Sequence, residues 1–488
     1  MLKFLMEMLN YVENGERVKM NGLMLDRVTK DILRVVEPLQ DDWTARFQVI
    51  NELRNIVQSI ESLRAGATIE PFGSFVSNLF SRWGDLDLSV QLHNGSYIST
   101  AGKKRKQTLL RDIQKASRKK GGWCKLQLIP HARVPILKIE HIQHNISCDI
   151  SIDNLVGQIK SKILLWLNEI DGRFHDMVLL VKEWAKAHDI NNSKQGTFNS
   201  YSLSLLVIFH FQTCSPAIFP PLRDIYPGNV VDNLKAGVRA EVENEIAVTC
   251  ATNIARFKSR TANRSSLSEL FVSFLAKFSD ISSKASELGI CPFTGQWLEI
   301  ESNMRWLPKT YAIFVEDPFE QPENTARAIN ARQLTRISEA FRMTHLRLTS
   351  VYQNQSSILN DLARPQILQL IMNSSGSASA PAFNVGNYPP IRPQVHQARV
   401  MQPRPWIQHQ FQNDIPRFNM GNFPPINSQA PHAGTLQSQP PVQHKMPKTK
   451  RIVSSPNVLN VGEPSNPSKI YSGQGQQKWR PRSQRQVL

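Results

Sequence analysis

Acidic residues are in short supply. Asp and Glu number 40 against 58 Lys and Arg in 488 residues, a formal net charge of +18. Such a balance suits a polyanionic partner, RNA most simply, although charge alone also fits an acidic protein or a membrane surface. Cysteine is scarcer still: Cys124, Cys148, Cys214, Cys250 and Cys291 stand far apart, with no CxxC and no Cys/His cluster at zinc spacing. That excludes a disulfide framework and a zinc module, and predicts reduced, mostly buried thiols in an intracellular protein. No apolar run approaches the length that spans a bilayer. The N-terminal MLKFLMEMLNYV is short, broken by Glu7 and lacks a small-residue cleavage site, so a soluble chain without a signal peptide is expected. No internal repeat is convincing.

What is present is concentrated between Pro71 and Val90, PFGSFVSNLFSRWGDLDLSV. The pattern predicts a short strand ending at Phe72, a tight turn at Gly73-Ser74, a helical turn, and a strand carrying Asp85 and Asp87. Alternation along a strand sends Leu86 and Leu88 to the core and stands the two aspartates together on the opposite face. Carboxylates held that close repel each other unless a cation lies between them. Hard oxygen ligands at this spacing suit Mg²⁺ or Mn²⁺. Gly73 permits the tight turn, and amides at the following helix start can hold a phosphate. The combination points to nucleotidyl transfer, against the plainer reading of a surface hairpin with two solvated aspartates.

Around this stretch, apolar spacing predicts a helix over 23–39, stopped by Pro38, and Asp41-Asp42 offers an N-cap for a second helix to about Leu63. Residues 103–120 carry nine basic residues around Leu109, Leu110 and Ile113, an amphipathic helix suited equally to a solvated face or to RNA contact. Strands are expected at Cys124–Ile129, Val134–Glu140 and Ile146–Ile152. In the last, Asp149 falls on the polar face, with Asp153 a competitor of the same parity at the strand's end. From Gly157 to Ile300 the chain reads as helical. Lys182 and Lys186, four apart, share one helix face.

Gly73-Ser74, a spacer and Asp85-Leu86-Asp87-Leu88, with Asp149 downstream, resemble the signature of the DNA-polymerase-β-like nucleotidyltransferases. That family includes poly(A) polymerases and terminal uridylyltransferases. VKEWAKAHDINNSK, GTFNSYSLSLLVIFHFQTC and VEDPFEQP are similar to the plant uridylyltransferases that tail unmethylated small RNAs. The resemblance covers about Asp41 to Ser350. It implies an α+β fold: a mixed-sheet catalytic domain (41–155) inserted in a helical PAP-associated domain (156–350), with N-terminal helices (1–40) packing on the latter. By the same resemblance, Asp85, Asp87 and Asp149 bind two Mg²⁺ or Mn²⁺ ions. Gly73, Ser74, Lys182, Lys186 and Ser200 hold the triphosphate of UTP, and Tyr201 stacks on the base. The loop with Asp317, Glu320 and Glu323 reads the base edge. Uridine-selective relatives often carry histidine where this chain has Glu323, and a carboxylate can accept from uracil N3–H or from adenine's amino group. Poly(A) polymerase is therefore the alternative activity, and an idle RNA-binding scaffold the alternative from another class.

After Leu370 the composition changes. Residues 371–488 hold 17 of the 30 prolines and 13 Lys/Arg against two acids, Asp414 and Glu463. Such a segment cannot bury enough apolar surface to offset its ordering entropy, so a disordered basic tail is expected. Trp406, Phe411, Phe418, Phe423 and Trp479 among its cations suit stacking on bases or docking to a protein. The resemblance implies RNA 3′ ends, small RNAs included, as substrate, and an Argonaute-type silencing protein as the tail's partner. It also implies a monomer, located in the cytoplasm, with RNA granules and the nucleus as further compartments.

Overall fold

The computed structural model describes residues 21–64, 66–92, 102–258, 262–307, 310–350 and 354–376, with side chains as far as 373. The expected tail lies outside them from 377 onward. Helix α1 (residues 21–36) buries Leu25, Val28, Ile32, Leu33 and Val36, the stripe that its spacing predicts. Helix α2 (Gln40–Ser59) begins one residue before the expected caps. Leu39 is its N-cap residue, and Asp42, inside the first turn, accepts from the Leu39 N–H at 2.7 Å. The helix stops at Ser59, and a short α3 (Glu61–Arg64) follows.

Next come β1 (Thr68–Phe72), α4 (Gly73–Val76), β2 (Leu86–Gln91), α5 (Lys103–Lys120), β3 (Trp123–Ile129), β4 (Ile136–His141) and β5 (Ile146–Ile152). The strands form one mixed sheet in the order β1-β2-β5-β4-β3. Only β2 and β5 run parallel; the other neighbours are antiparallel. Leu86, Leu88, Val90, Cys148, Ile150 and Ile152 are buried, which pins the register, since a one-residue slip would turn this set outward.

Helices α6 (Leu155–Leu167), α7 (Arg173–Ala187), α8 (Ser200–Thr213), α9 (Val230–Ala236), α10 (Arg239–Phe257), α11 (Leu267–Phe278) and α12 (Ile281–Lys284) follow. A hairpin, β6 (Leu288–Cys291) and β7 (Gln296–Glu299), then interrupts the helices where a purely helical stretch is expected. Its four-residue strands are too short to show a period of two against helical surroundings. Helices α13 (Ala331–Thr349), α14 (Gln355–Leu362) and α15 (Pro365–Gly376) complete the described chain. They extend past Ser350, where the resemblance ends. Ile371, the first residue of the expected tail, is a buried position of α15.

Helix α8 is apolar all round, and every residue from Ser202 to Phe211 is buried, the mark of a central helix. It shares one core with α1, α6, α7, α11 and α13. There Trp184 packs on Phe341 at 4.7 Å and donates to Thr344 Oγ1 at 3.0 Å. This core fixes α6, α7 and α8, the helices that face the sheet's acidic edge.

Candidate active site

The sheet register brings the acids together. Asp87 on β2 is the cross-strand partner of Asp149 on β5, and Asp149 is the partner of Lys138 on β4. Asp85 stands just ahead of β2. Lys138 Nζ lies 3.3 Å from Asp85 Oδ2 and 2.7 Å from Asp149 Oδ1, an ammonium between two carboxylates. Its approach to Asp149 is off the hydrogen-bonding direction, so the buried Oδ1 keeps no aligned partner. Burial pushes the Asp87 carboxyl up to about 7, helped by Asp149 and Asp85. Burial also raises Asp149, with Lys138 opposing. These carboxylates gain by holding a cation, and a buried oxygen without an aligned donor, beside like charges, fits a divalent ion better than it fits water. Asp153, the competitor, is turned away. Its φ is +47° and its Oδ1 accepts from Leu92 N–H at 2.9 Å, closing the strand end.

Gly73 is required by Asp87. With φ at +68°, it holds a conformation that L side chains rarely adopt, and a Cβ there would lie 2.0 Å from Asp87 Oδ2. Its N–H donates to Ser161 Oγ at 2.7 Å, which ties the turn to α6. The loop leading to Asp85 is braced from two sides. Buried Arg46 of α2 donates to the carbonyls of Arg82 and Gly84, both at 2.9 Å. Lys182 of α7 donates to Leu79 O at 2.7 Å.

Of the two expected triphosphate lysines, Lys182 is buried and Lys186 is half-buried. Burial lowers Lys182 to about 7, with Lys186 adding to the effect and Asp87 opposing it. Lys186 is lowered by burial and then by Arg364. An incoming polyanion would favour the charged form of both. Ser200, at the start of α8, lies 3.3 Å from Asn191 Nδ2. Arg364, between α14 and α15, grips buried Glu183 at 2.8 Å beside these lysines, and Lys194 acts electrostatically on Asp149. Sequence reasoning missed Asn191, Lys194 and Arg364. NNSK carries two of them, but their place depends on the turn ahead of α8.

The Tyr201 hydroxyl donates to Asp317 Oδ1 at 3.2 Å, so Tyr201 and the DPFE loop do meet. Lys160 of α6 joins them, 2.5 Å from Asp317 Oδ2 and 2.7 Å from Glu320 Oε2. Arg133, from the β3–β4 turn, binds Glu320 through both guanidinium nitrogens at 2.6 and 3.3 Å. Glu323 is placed apart from Tyr201. Its carboxylate pairs with Arg327 at 2.9 Å and lies 3.7 Å from Arg133. Among the described residues, three ligand groups from His, Cys, Asp or Glu converge within 4.8 Å at one place, Glu37, His175 and Asp176; the ligand atoms of Asp85, Asp87 and Asp149 lie further apart than that. That set contains none of the sheet acids.

The family model described as "Poly(A) RNA polymerase, mitochondrial-like, central palm domain" matches residues 25–168. Protein HESO1 of Arabidopsis thaliana is 54% identical over 428 residues, 79% of this chain and 83% of that one. Poly(A) RNA polymerase GLD2 of Mus musculus is 27% identical over 317 residues, 63% of this chain and 61% of the other. Among solved structures, a cytoplasmic RNA terminal U-transferase superposes with a TM-score of 0.54 at 22% identity, over 70% of this chain and 98% of that one. At that identity the likeness shows the fold.

Proposed function

The chain belongs to the HESO1-type terminal uridylyltransferases of the DNA-polymerase-β-like superfamily, and from that premise we propose that it adds uridines from UTP to RNA 3′ ends without a template. The observation that carries the reading is the row of carboxylates, Asp87 beside Asp149 with Asp85 at the strand's mouth, opposite the deep lysines of α7. Mg²⁺ or Mn²⁺ held by Asp85, Asp87 and Asp149 would supply positive charge that acidifies the RNA 3′-hydroxyl and offsets the triphosphate. The hydroxyl oxygen bonds to the α-phosphorus as the bond to the β-phosphate oxygen breaks, and pyrophosphate leaves. Lys182 and Lys186 take up the charge that develops on that leaving group, together with Ser74 and Ser200. Tyr201 offers a face on which the base stacks. The Gly73 turn keeps Asp87 in place without a side chain of its own to displace it.

Small RNAs are the proposed substrates, and an Argonaute-type protein is the proposed partner of the basic, proline-rich segment after residue 376. A monomer in the cytoplasm, with granules and the nucleus as further locations, is proposed on the free thiols and the RNA substrate. Adenylyl transfer is the competing reading, supported by the likeness to GLD2 and by Glu323. Extension of an RNA primer with each nucleotide offered alone, in Mg²⁺ and in Mn²⁺, decides between them. UTP is expected to be used well ahead of ATP, and equal or better use of ATP would replace this reading with poly(A) synthesis.

A further inference from the structure

One cation in the base corner has no task in the chemistry above. Lys160 stands on α6 next to Ser161, the residue that anchors the Gly73 turn. Its side chain is 12% exposed, and its ammonium lies 5.5 Å from the centroid of the Tyr201 ring. Asp317 Oδ1 receives the Tyr201 hydroxyl at 3.2 Å and the Phe319 N–H at 3.1 Å, while Oδ2 receives Lys160. Glu320 is met by Lys160 on one oxygen and by Arg133 on both. Burial works against the Glu320 charge, yet Lys160 and Arg133 outweigh it and hold the carboxyl below its ordinary range. Three of the roughly four acceptor sites on each carboxylate are therefore taken. The group left beside the stacking ring is an ammonium, which has three donors and no acceptor, with two donors already used.

We propose that Lys160 is the specificity-determining residue for the base: its remaining N–H donates to O4 of uracil, and its ion pairs with Asp317 and Glu320 turn a donor, rather than a free carboxylate, toward the base. Uracil shows two carbonyl oxygens on the edge around N3–H. Where uracil has O4, cytosine and adenine both carry an amino donor. A donor facing a donor leaves both unpaired, and such mismatches are what polar sites reject most strongly. Uridine selection then needs no histidine at the Glu323 position. The proposal rests on the uridylyl-transfer reading and names the residue that enforces it.

The test compares wild type with Lys160→Met and Lys160→Arg in single-nucleotide primer extension, with kcat/KM measured for UTP, ATP and CTP. Lys160→Met should lower the UTP:ATP and UTP:CTP ratios by about tenfold or more, chiefly through KM, and Lys160→Arg should keep most of the preference. A protein that merely folds less well loses all three nucleotides together and leaves the ratios unchanged. That result, in a wild type that prefers UTP, would reduce Lys160 to a brace for the loop and overturn the proposal. If the methionine variant is too slow to assay, competition binding of UTP against ATP reads the same ratio. A wild type that prefers ATP would instead sink the uridylyl reading itself, before any variant is compared.

Discussion

Two carboxylate clusters are built in opposite ways. Asp85, Asp87 and Asp149 form a row set by strand register, with one ion-paired ammonium, Lys138, among three acids, while Lys182, Lys186 and Lys194 act on them from further off. Asp317 and Glu320 form a corner set by a tight loop, where Lys160 and Arg133 match them charge for charge. The row is left short of positive charge and the corner is already neutral. A surplus of acid with a buried, unaligned oxygen can accept a divalent ion, whereas a satisfied ion-pair network has nothing to gain from one and acts through its shape and its leftover donor.

The largest effect expected from breaking this contrast comes at Gly73. Gly73→Ala places a Cβ against Asp87 Oδ2 in a left-handed backbone, so Asp87 must move. Addition of nucleotides should fall about a hundredfold or more, with stability lowered by about 1–3 kcal/mol. Steady-state primer extension and urea unfolding measure the two separately. Wild-type rates in this variant would show that Asp87 need not stay where the turn holds it.

A smaller change is expected at Glu323. Its carboxylate sits with Arg327 and Arg133 at the rim and is not bonded to Tyr201 or Lys160. Glu323→His should change the UTP:ATP ratio by less than Lys160→Met does, about threefold or under for a rim charge pair. A larger shift than that of the lysine variant, measured in the same assay, would move base selection from the corner to the rim.

No change in nucleotide addition, only in stability, is expected from a residue outside both clusters, buried His210 of α8. Burial, reinforced by Lys277, pushes His210 down to about 3 from an ordinary 6.5. The folded protein keeps this imidazole neutral, while the unfolded chain protonates it below about pH 6.5. Its contribution is complete above that pH and is lost as pH falls toward 3, by about 1.4 kcal/mol per pH unit. Urea midpoints between pH 6.5 and 4.5 should show a slope that His210→Gln flattens. An equal slope in both proteins would mean that His210 titrates normally.

Parity put Asp85 with Asp87 but left Asp149 and Asp153 level, and the strand's end and the resemblance decided for Asp149. Asp87 and Asp149 each sit on the polar face of a short alternating strand, and the Gly-Ser turn marks where β1 ends. The corner was half legible: Tyr201 and the DPFE loop carry a recognisable pattern. Lys160 and Arg133 do not, since their partners lie 157 and 187 residues away and no periodicity links them. Arg46 was hidden for the same reason, a polar residue on an apolar helix face whose partners are the carbonyls of a loop. The β6–β7 hairpin was too brief to leave a signal. Helices α14 and α15 lie beyond the stretch that carries the resemblance, although α15 buries Ile367 and Ile371 as any amphipathic helix would.

The most direct test of the account is where a divalent ion binds. Mn²⁺ titration followed by electron paramagnetic resonance, without nucleotide or RNA, should show binding that Asp87→Ala abolishes. Lys138→Met should strengthen it about fivefold or more, because one competing charge within about 4 Å is worth at least ~1 kcal/mol. His175→Ala, in the separate cluster with Glu37 and Asp176, should leave it unchanged. Binding that survives Asp87→Ala and disappears with His175→Ala would contradict the assignment of the sheet acids as the metal site.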